Sequence, residues 1–337
     1  MKENIKKIDT INIMLMVFSF LLARVFPFEL FLFSYIVLGP LHYMTEISWL
    51  KERNFFVGKN TWLIVLLTIA IVGAASRIGL MGFEENMDFQ RMMGPLVSLA
   101  LLLGFVIAAI SINKKLPILL GLAISMVFGV LFFMFRFSYL VFLLVLLIPT
   151  LIHTTIFTGS FMLEGALKNK STIGYLAFLV FILCNVFFFI LPTDAVPLTN
   201  QLTQKLFLES DFYQVNLNLN YLIFGTDGST FVLDSSIGRQ IQGFIAFAYT
   251  YHYLNWFSKT KVIKWTQVPK PWLFASVTVW ILSIVLHLIN MKIGIAFIAF
   301  LSTLHVYLEF PLNHKSFVNV GSMLFGFKRS DSVSVNG

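Results

Sequence analysis

Four histidines stand inside long apolar segments of the sequence, where ionisable side chains are rare. They are His42 in GPLHYMTEISWL, His153 in IPTLIHTTIFTG, His252 in AYTYHYLNWF and His305 in LSTLHVYLEFPLNH. An ionisable group in a hydrocarbon environment is costly and usually marks a functional site. Because neutral imidazole is the commonest protein ligand for transition metals, these four residues are the candidate metal ligands.

Two glutamates accompany these histidines at helical spacing. Glu46 follows His42 by four residues, and Glu309 follows His305 by four. Residues four apart lie on the same face of a helix. A carboxylate beside a ligating histidine can orient the ring through the nitrogen that does not bind the metal. We therefore predict that Glu46 and Glu309 act on a metal site through the histidines.

The composition of the chain identifies the elements that must position these residues. Of the 337 residues, 58% are hydrophobic and 12% are charged, and the mean hydropathy is +0.85. A soluble globular chain of this length would carry many more charges. The formal net charge of +8 is scattered between apolar runs, which is typical of membrane topology signals and excludes a basic patch for nucleic acid.

A membrane-spanning helix needs about 20 predominantly apolar residues. This criterion predicts an all-α, polytopic bundle of about ten spanning helices. They are centred on about 11–26, 29–50, 61–80, 93–112, 117–134, 137–163, 172–192, 239–257, 271–291 and 293–313. We expect a single transmembrane domain over 1–315, containing an extracytoplasmic segment at 193–238, and a polar C-terminal tail at 316–337.

The basic residues test this topology, because cytoplasmic loops carry an excess of Lys and Arg. With the N-terminus inside, ten spans place seventeen of the 24 Lys and Arg residues on the cytoplasmic side and seven outside. The pattern predicts a multi-pass integral membrane protein with both termini cytoplasmic, in a bacterial inner membrane.

The same topology gives the four histidines a common depth. They fall in the second, sixth, eighth and tenth predicted spans, which all run from outside to inside. Each precedes the basic residues at the end of its span by seven to fifteen residues, which is about 10–22 Å of helix. A single intramembrane histidine usually hydrogen-bonds between helices. Four at one depth favour a shared site.

The motifs around these histidines resemble, in their order, those of the Brp/Blh family of membrane β-carotene 15,15'-dioxygenases. The counterparts are LGPLHYMTE, LIHTT, YHYLNWFSKTK and LHVYLEF. The resemblance implies cleavage of a carotenoid double bond by dioxygen at an iron held by histidines. Trp256 stands where the family's third motif carries a second histidine, and the two acids are Glu instead of Asp, so a changed substrate is favoured.

Three functions follow as alternatives. The preferred one is a membrane-embedded oxygenase that uses iron(II) or another transition metal, dioxygen and a carotenoid, isoprenoid or other lipid substrate, which the many Phe and Met side chains would surround. A transporter would use the same His and Glu residues as a proton or metal-ion pathway. A non-catalytic subunit of a larger assembly would dock through 193–238.

Overall fold

The structure is a computed structural model that describes residues 2–53, 60–77, 151–193, 200–210, 212–225, 235–259, 264 and 267–326. Every regular element within these ranges is helical. The all-α prediction is confirmed for this part of the chain.

The described helices are numbered here in chain order. They are α1 (Lys2–Val25), α2 (Pro27–Phe33), α3 (Gly39–Glu52), α4 (Asn60–Arg77), α5 (Thr158–Asn169), α6 (Thr172–Ile190), α7 (Gln201–Glu209), α8 (Tyr213–Phe224), α9 (Ser236–Ser258), α10 (Lys270–Ile289) and α11 (Met291–Phe325). A π-helical turn, Ser34–Leu38, joins α2 to α3, and residues 151–157 before α5 are also wound as a π-helix.

Polar side chains fix where several helices begin. Ser171, Ser235 and Asn290 each accept a hydrogen bond from the backbone N–H three residues further on, at the starts of α6, α9 and α11. Such caps satisfy backbone donors that a helix start leaves unpaired. At the far end of α11, Gly326 has φ +69°, a conformation that glycine adopts without steric cost and that ends the helix.

Within the described ranges, five helical stretches are long and apolar enough to cross a membrane. They are Glu3–Val25, Pro27–Glu52, Thr172–Ile190, Lys270–Ile289 and Met291–Phe325. These match five of the ten predicted spans, and they are compatible with an integral membrane protein.

The full count of ten spans is not confirmed. Helices α4 and α9 lie over two further predicted spans but are not among the five candidates. The predicted spans 93–112 and 117–134 lie outside the described residues, and 137–163 is described only from residue 151.

Two buried helices organise the packing. Helix α9 packs against α1, α2, α6 and α8, whereas α11 packs against α3, α4, α5 and α10. Helix α3 contacts both of them. Most side chains of α9 are buried, although many are polar or aromatic. The two groups of helices meet along α3, and this junction contains the histidines.

The predicted extracytoplasmic segment 193–238 contains α7 and α8. Phe207 and Phe212 from this segment pack edge to face against Phe28 and Phe31 of α2, with ring centroids 4.7–6.3 Å apart. Edge-to-face aromatic pairs contribute stability beyond their buried area. The segment therefore packs onto the helix bundle.

The first part of the predicted polar tail, 316–337, is helical. Helix α11 runs through Pro311 and past residue 315 to Phe325. Residues 327–337 lie outside the described part.

Candidate metal centre

The structure brings all four predicted histidines together. Nε2 of His42 lies 3.1 Å from Nε2 of His252, and Nε2 of His305 lies 3.1 Å from Nε2 of His153. All four side chains are at most 8% exposed. Together, these residues form the histidine cluster, which consists of His42, His153, His252 and His305.

The four rings form a closed quadrilateral. Consecutive ring centroids are 4.7 Å apart for His42 and His252, 4.9 Å for His252 and His153, 4.9 Å for His153 and His305, and 5.5 Å for His305 and His42. Neighbouring ring planes are inclined by 68–83°. Such T-shaped contacts bring the edge of one ring to the face of the next, and the two Nε2 pairs lie on opposite sides of the quadrilateral.

Each histidine comes from a different part of the bundle. His42 lies in α3 just after one π-helical turn, and His153 lies inside the other π-helical stretch. His252 is on α9 and His305 is on α11. A π-helical winding shifts the register of a helix and is frequent at functional sites. Here it occurs next to one ligand candidate and around another.

Hydrogen bonds orient two of the rings. His305 Nδ1 lies 2.6 Å from the Ser302 carbonyl oxygen, which can only accept a hydrogen bond. Nδ1 therefore carries the proton of the neutral ring, and Nε2 presents a lone pair to the cluster. His252 Nδ1 is hydrogen-bonded to the Thr158 hydroxyl at 2.8 Å, which directs its Nε2 inward. Partners of this kind orient metal-binding histidines.

The two glutamates touch the cluster and each other. Glu46 Oε2 lies 3.0 Å from His42 Nε2, and Glu309 Oε2 lies 3.3 Å from His153 Nδ1. The two carboxyl groups also lie close enough to interact with each other. Asn313 donates a further hydrogen bond to Glu309 at 3.3 Å.

The positions of the two glutamates are not equivalent. Glu309 faces the ring nitrogen of His153 that points away from His305, as expected for a carboxylate that acts through a histidine. Glu46 instead faces the same nitrogen of His42 that faces His252. Its carboxylate therefore lies on the inner side of the ring, close enough to the cluster to reach the same ion.

The nitrogen separations fit a metal ion. For metal–nitrogen bonds of about 2.1 Å, two ligand nitrogens are about 3.0 Å apart at a right angle and about 3.4 Å apart at the tetrahedral angle. Both observed Nε2 pairs are separated by 3.1 Å. The ligand-atom groups His42, His252, His305 and His153, His305, Glu309 each lie within 4.8 Å. The two groups overlap at His305.

Several buried atoms at this point have no hydrogen bond of good geometry. They are Nδ1 of His42, Nδ1 of His153 and Oε2 of Glu46. A buried polar atom without a partner costs roughly 1–3 kcal/mol. Of these atoms, Glu46 Oε2 lies beside the Nε2 of His42 that faces the cluster, where a bound ion or water would give it a partner. The two Nδ1 atoms belong to the opposite sides of their rings.

Sequence reasoning identified the four histidines and both glutamates, but not the groups that hold them. Thr158, Ser302 and Tyr43 were missed, because their contacts join different helices or depend on the rotamer of a neighbouring side chain. The other two histidines lie elsewhere: His287 Nδ1 is hydrogen-bonded to the Ser283 carbonyl oxygen, and His314 is exposed.

No protein-family model, curated protein or solved structure matches this chain.

Proposed function

We propose that this protein is a membrane-embedded, metal-dependent oxygenase acting on a long apolar substrate such as a carotenoid, an isoprenoid or another lipid. The observation that carries the proposal is the convergence of four buried imidazoles from four parts of the bundle, with Nε2 pairs 3.1 Å apart. A shared metal gives these nitrogens a common partner, and iron(II) is the preferred ion.

The donor set supports a redox metal more than a structural zinc. Structural zinc sites are tetrahedral and usually include cysteine, whereas Cys184, the only cysteine of the chain, belongs to the apolar core. Four imidazole nitrogens bound at near right angles to one another would leave about two of the six positions of an octahedral ion open. Imidazole is also a suitable ligand for iron. Open positions are what an oxygenase requires.

The reaction class follows from the same chemistry and from the motif resemblance. Bound iron(II) would supply the one-electron chemistry that lets dioxygen react with a carbon–carbon double bond. In a balanced cleavage, both atoms of one dioxygen are added, the double bond breaks, and two carbonyl groups form. No further reductant is consumed. A polyene from the lipid phase is a suitable substrate class.

The side chains of this protein would prepare the site in two ways. Thr158 and Ser302 hold the His252 and His305 rings with their Nε2 atoms inward. Aromatic residues Tyr43, Tyr253 and Trp256 pack against His42 and exclude water from that side. A dry site strengthens the electrostatic interactions made inside it.

Metal analysis of the purified protein tests the metal centre. We expect about one iron per chain in the wild type after aerobic purification in detergent and reconstitution with iron(II). His42→Ala and His305→Ala should each lose most of it, whereas His314→Ala, an exposed histidine outside the cluster, should retain it. Equal metal content in all four proteins, or none in the wild type, would contradict the proposal.

Product analysis tests the oxygenase activity. The iron-loaded protein would be incubated with β-carotene in detergent micelles under ¹⁸O₂, with squalene in a parallel reaction. The proposal expects aldehyde or ketone products that contain ¹⁸O and are not formed by His305→Ala. A metal-loaded protein that produces no oxygenated product from any polyene or isoprenoid would count against this activity while leaving the metal site intact.

A second function is favoured by one observation. Glu46 contacts His42, Glu309 contacts His153, and the two carboxyl groups lie close enough to interact. Such a connected set of proton carriers is also suited to a proton pathway in a transporter. This alternative predicts proton uptake into proteoliposomes by metal-free protein, with loss of uptake in Glu309→Gln.

A further inference from the structure

We infer that Tyr43 and Tyr253 form a positioning pair for the metal centre, setting how far apart His42 and His305 are held. The inference rests on the proposed function, because it assigns a role to residues around the same centre. Neither tyrosine is a candidate metal ligand, and the motif resemblance assigns no role to the pair.

The two tyrosines share a short buried hydrogen bond. Their hydroxyl oxygens are 2.6 Å apart, and each side chain is 1% exposed. Tyr43 is on α3 and Tyr253 is on α9, so this bond ties together the helices that carry His42 and His252. A hydroxyl buried without a partner is costly, and each phenol satisfies the other.

Each phenol ring also packs on a different histidine. Tyr43 is stacked on His305, with centroids 4.3 Å apart and planes inclined by 24°. Tyr253 lies against His42 at 5.0 Å, with planes inclined by 41°. The pair therefore covers the His42–His305 edge of the quadrilateral, which at 5.5 Å is its longest side.

A second connection reaches His305 through the backbone. The Tyr43 hydroxyl also interacts with the Ser302 side chain, and the Ser302 carbonyl oxygen accepts a hydrogen bond from His305 Nδ1. Tyr43 thus touches both the face of the His305 ring and the residue that fixes its tautomer. Movement of Tyr43 would alter the direction of His305 Nε2.

The missing side chain of Gly39 leaves room for the two tyrosine hydroxyl groups. A Cβ atom added at Gly39 would lie 3.2 Å from both hydroxyl oxygens. That separation is tight, so a larger residue at position 39 would push against the hydrogen bond. The pair is therefore accommodated by a glycine one turn before Tyr43.

Conservative variants test the positioning role. Tyr43→Phe and Tyr253→Phe each keep the ring and remove the shared hydrogen bond. Tyr251→Phe is the matched control, because it removes another buried hydroxyl from α9 whose partners are Asn12 and Met162. Each protein would be loaded with Cu(II), and affinity would be measured by chelator competition together with the EPR hyperfine splitting.

We expect each of the two pair variants to bind Cu(II) about tenfold more weakly, as is typical when a partner beyond the ligands is removed, and to change the EPR spectrum. The double variant should lose no more than Tyr43→Phe, since both lack the shared bond and the Tyr43 hydroxyl. Tyr251→Phe should match the wild type in both readouts.

The outcomes separate this inference from the proposed function. If wild-type protein binds neither Cu(II) nor iron(II), the metal centre itself fails. If wild-type protein binds metal and Tyr43→Phe has an unchanged affinity and spectrum, only the positioning role is overturned. Equal effects of Tyr251→Phe and Tyr43→Phe would also overturn it, because the change would then be a general loss of packing.

Discussion

At the scale of single residues, the sequence predicted which groups meet but not how each is aimed. His42, His153, His252 and His305 were recognisable because ionisable side chains are rare in apolar segments. Their orientation depends on cross-helix contacts such as Thr158 with His252. Those contacts leave no periodic signal in the sequence, and so the supporting residues could not be predicted.

Replacing Thr158 by Val tests whether this hydroxyl orients a ligand. The variant keeps the shape of the side chain but removes the hydrogen bond to His252 Nδ1. We expect metal affinity to fall about 10- to 100-fold, measured by chelator competition, with little change in thermal stability. Thr68→Val is the control, because Thr68 is exposed and donates its hydrogen bond to the Ile64 carbonyl oxygen of its own helix. Unchanged affinity in Thr158→Val would refute this role.

At the scale of helices, the described apolar helices lie where spans were predicted. The sequence did not predict how closely these helices pack. Helix α9 approaches α1 and α6 at Gly243. A Cβ atom there would lie 2.8 Å from Phe188 Cε1 and 3.1 Å from the Ala23 carbonyl oxygen. Small residues allow helices to approach closely in membranes, but a glycine in a sequence does not disclose which neighbour it faces.

Gly243→Ala should therefore destabilise the bundle. The added methyl group must displace a ring or a backbone carbonyl, which costs roughly 1–3 kcal/mol. Gly165→Ala is the matched control, because an added Cβ in α5 meets no atom within 4 Å and alanine favours helix by about 0.5–1 kcal/mol. Thermal unfolding in detergent should show a lower Tm for Gly243→Ala only. A Tm equal to or above that of Gly165→Ala would show that the neighbouring atoms move aside without a loss of stability.

At the scale of the whole molecule, composition predicted the helical class. The charge pattern also predicted a membrane topology, which the described residues test only in part. The described residues contain five candidate spans, whereas the apolar segments predicted about ten and the alternation of basic loops agreed with that count. Length and hydropathy identify apolar helices directly. The more polar α9 falls outside that criterion because it carries the buried polar groups that line the centre of the bundle.

Cysteine labelling can test the predicted topology. Cys184 is buried and would be replaced by Ala to give a background without cysteine. A membrane-impermeant maleimide should label Leu202→Cys, exposed on α7, in intact spheroplasts. Ser330→Cys, in the predicted cytoplasmic tail, should be labelled only after permeabilisation. Labelling of both positions from the same side would contradict the predicted arrangement.

The hydrogen bond from His305 to the Ser302 carbonyl has a further consequence for how the protein matures. It is made within the chain itself, so the proposed ligand is already oriented without an ion. Small zinc domains differ, since metal binding there supplies the free energy of folding. On the proposed function, the bundle would be assembled first and the metal inserted afterwards, so metal availability would set the active fraction of molecules without setting how many are folded.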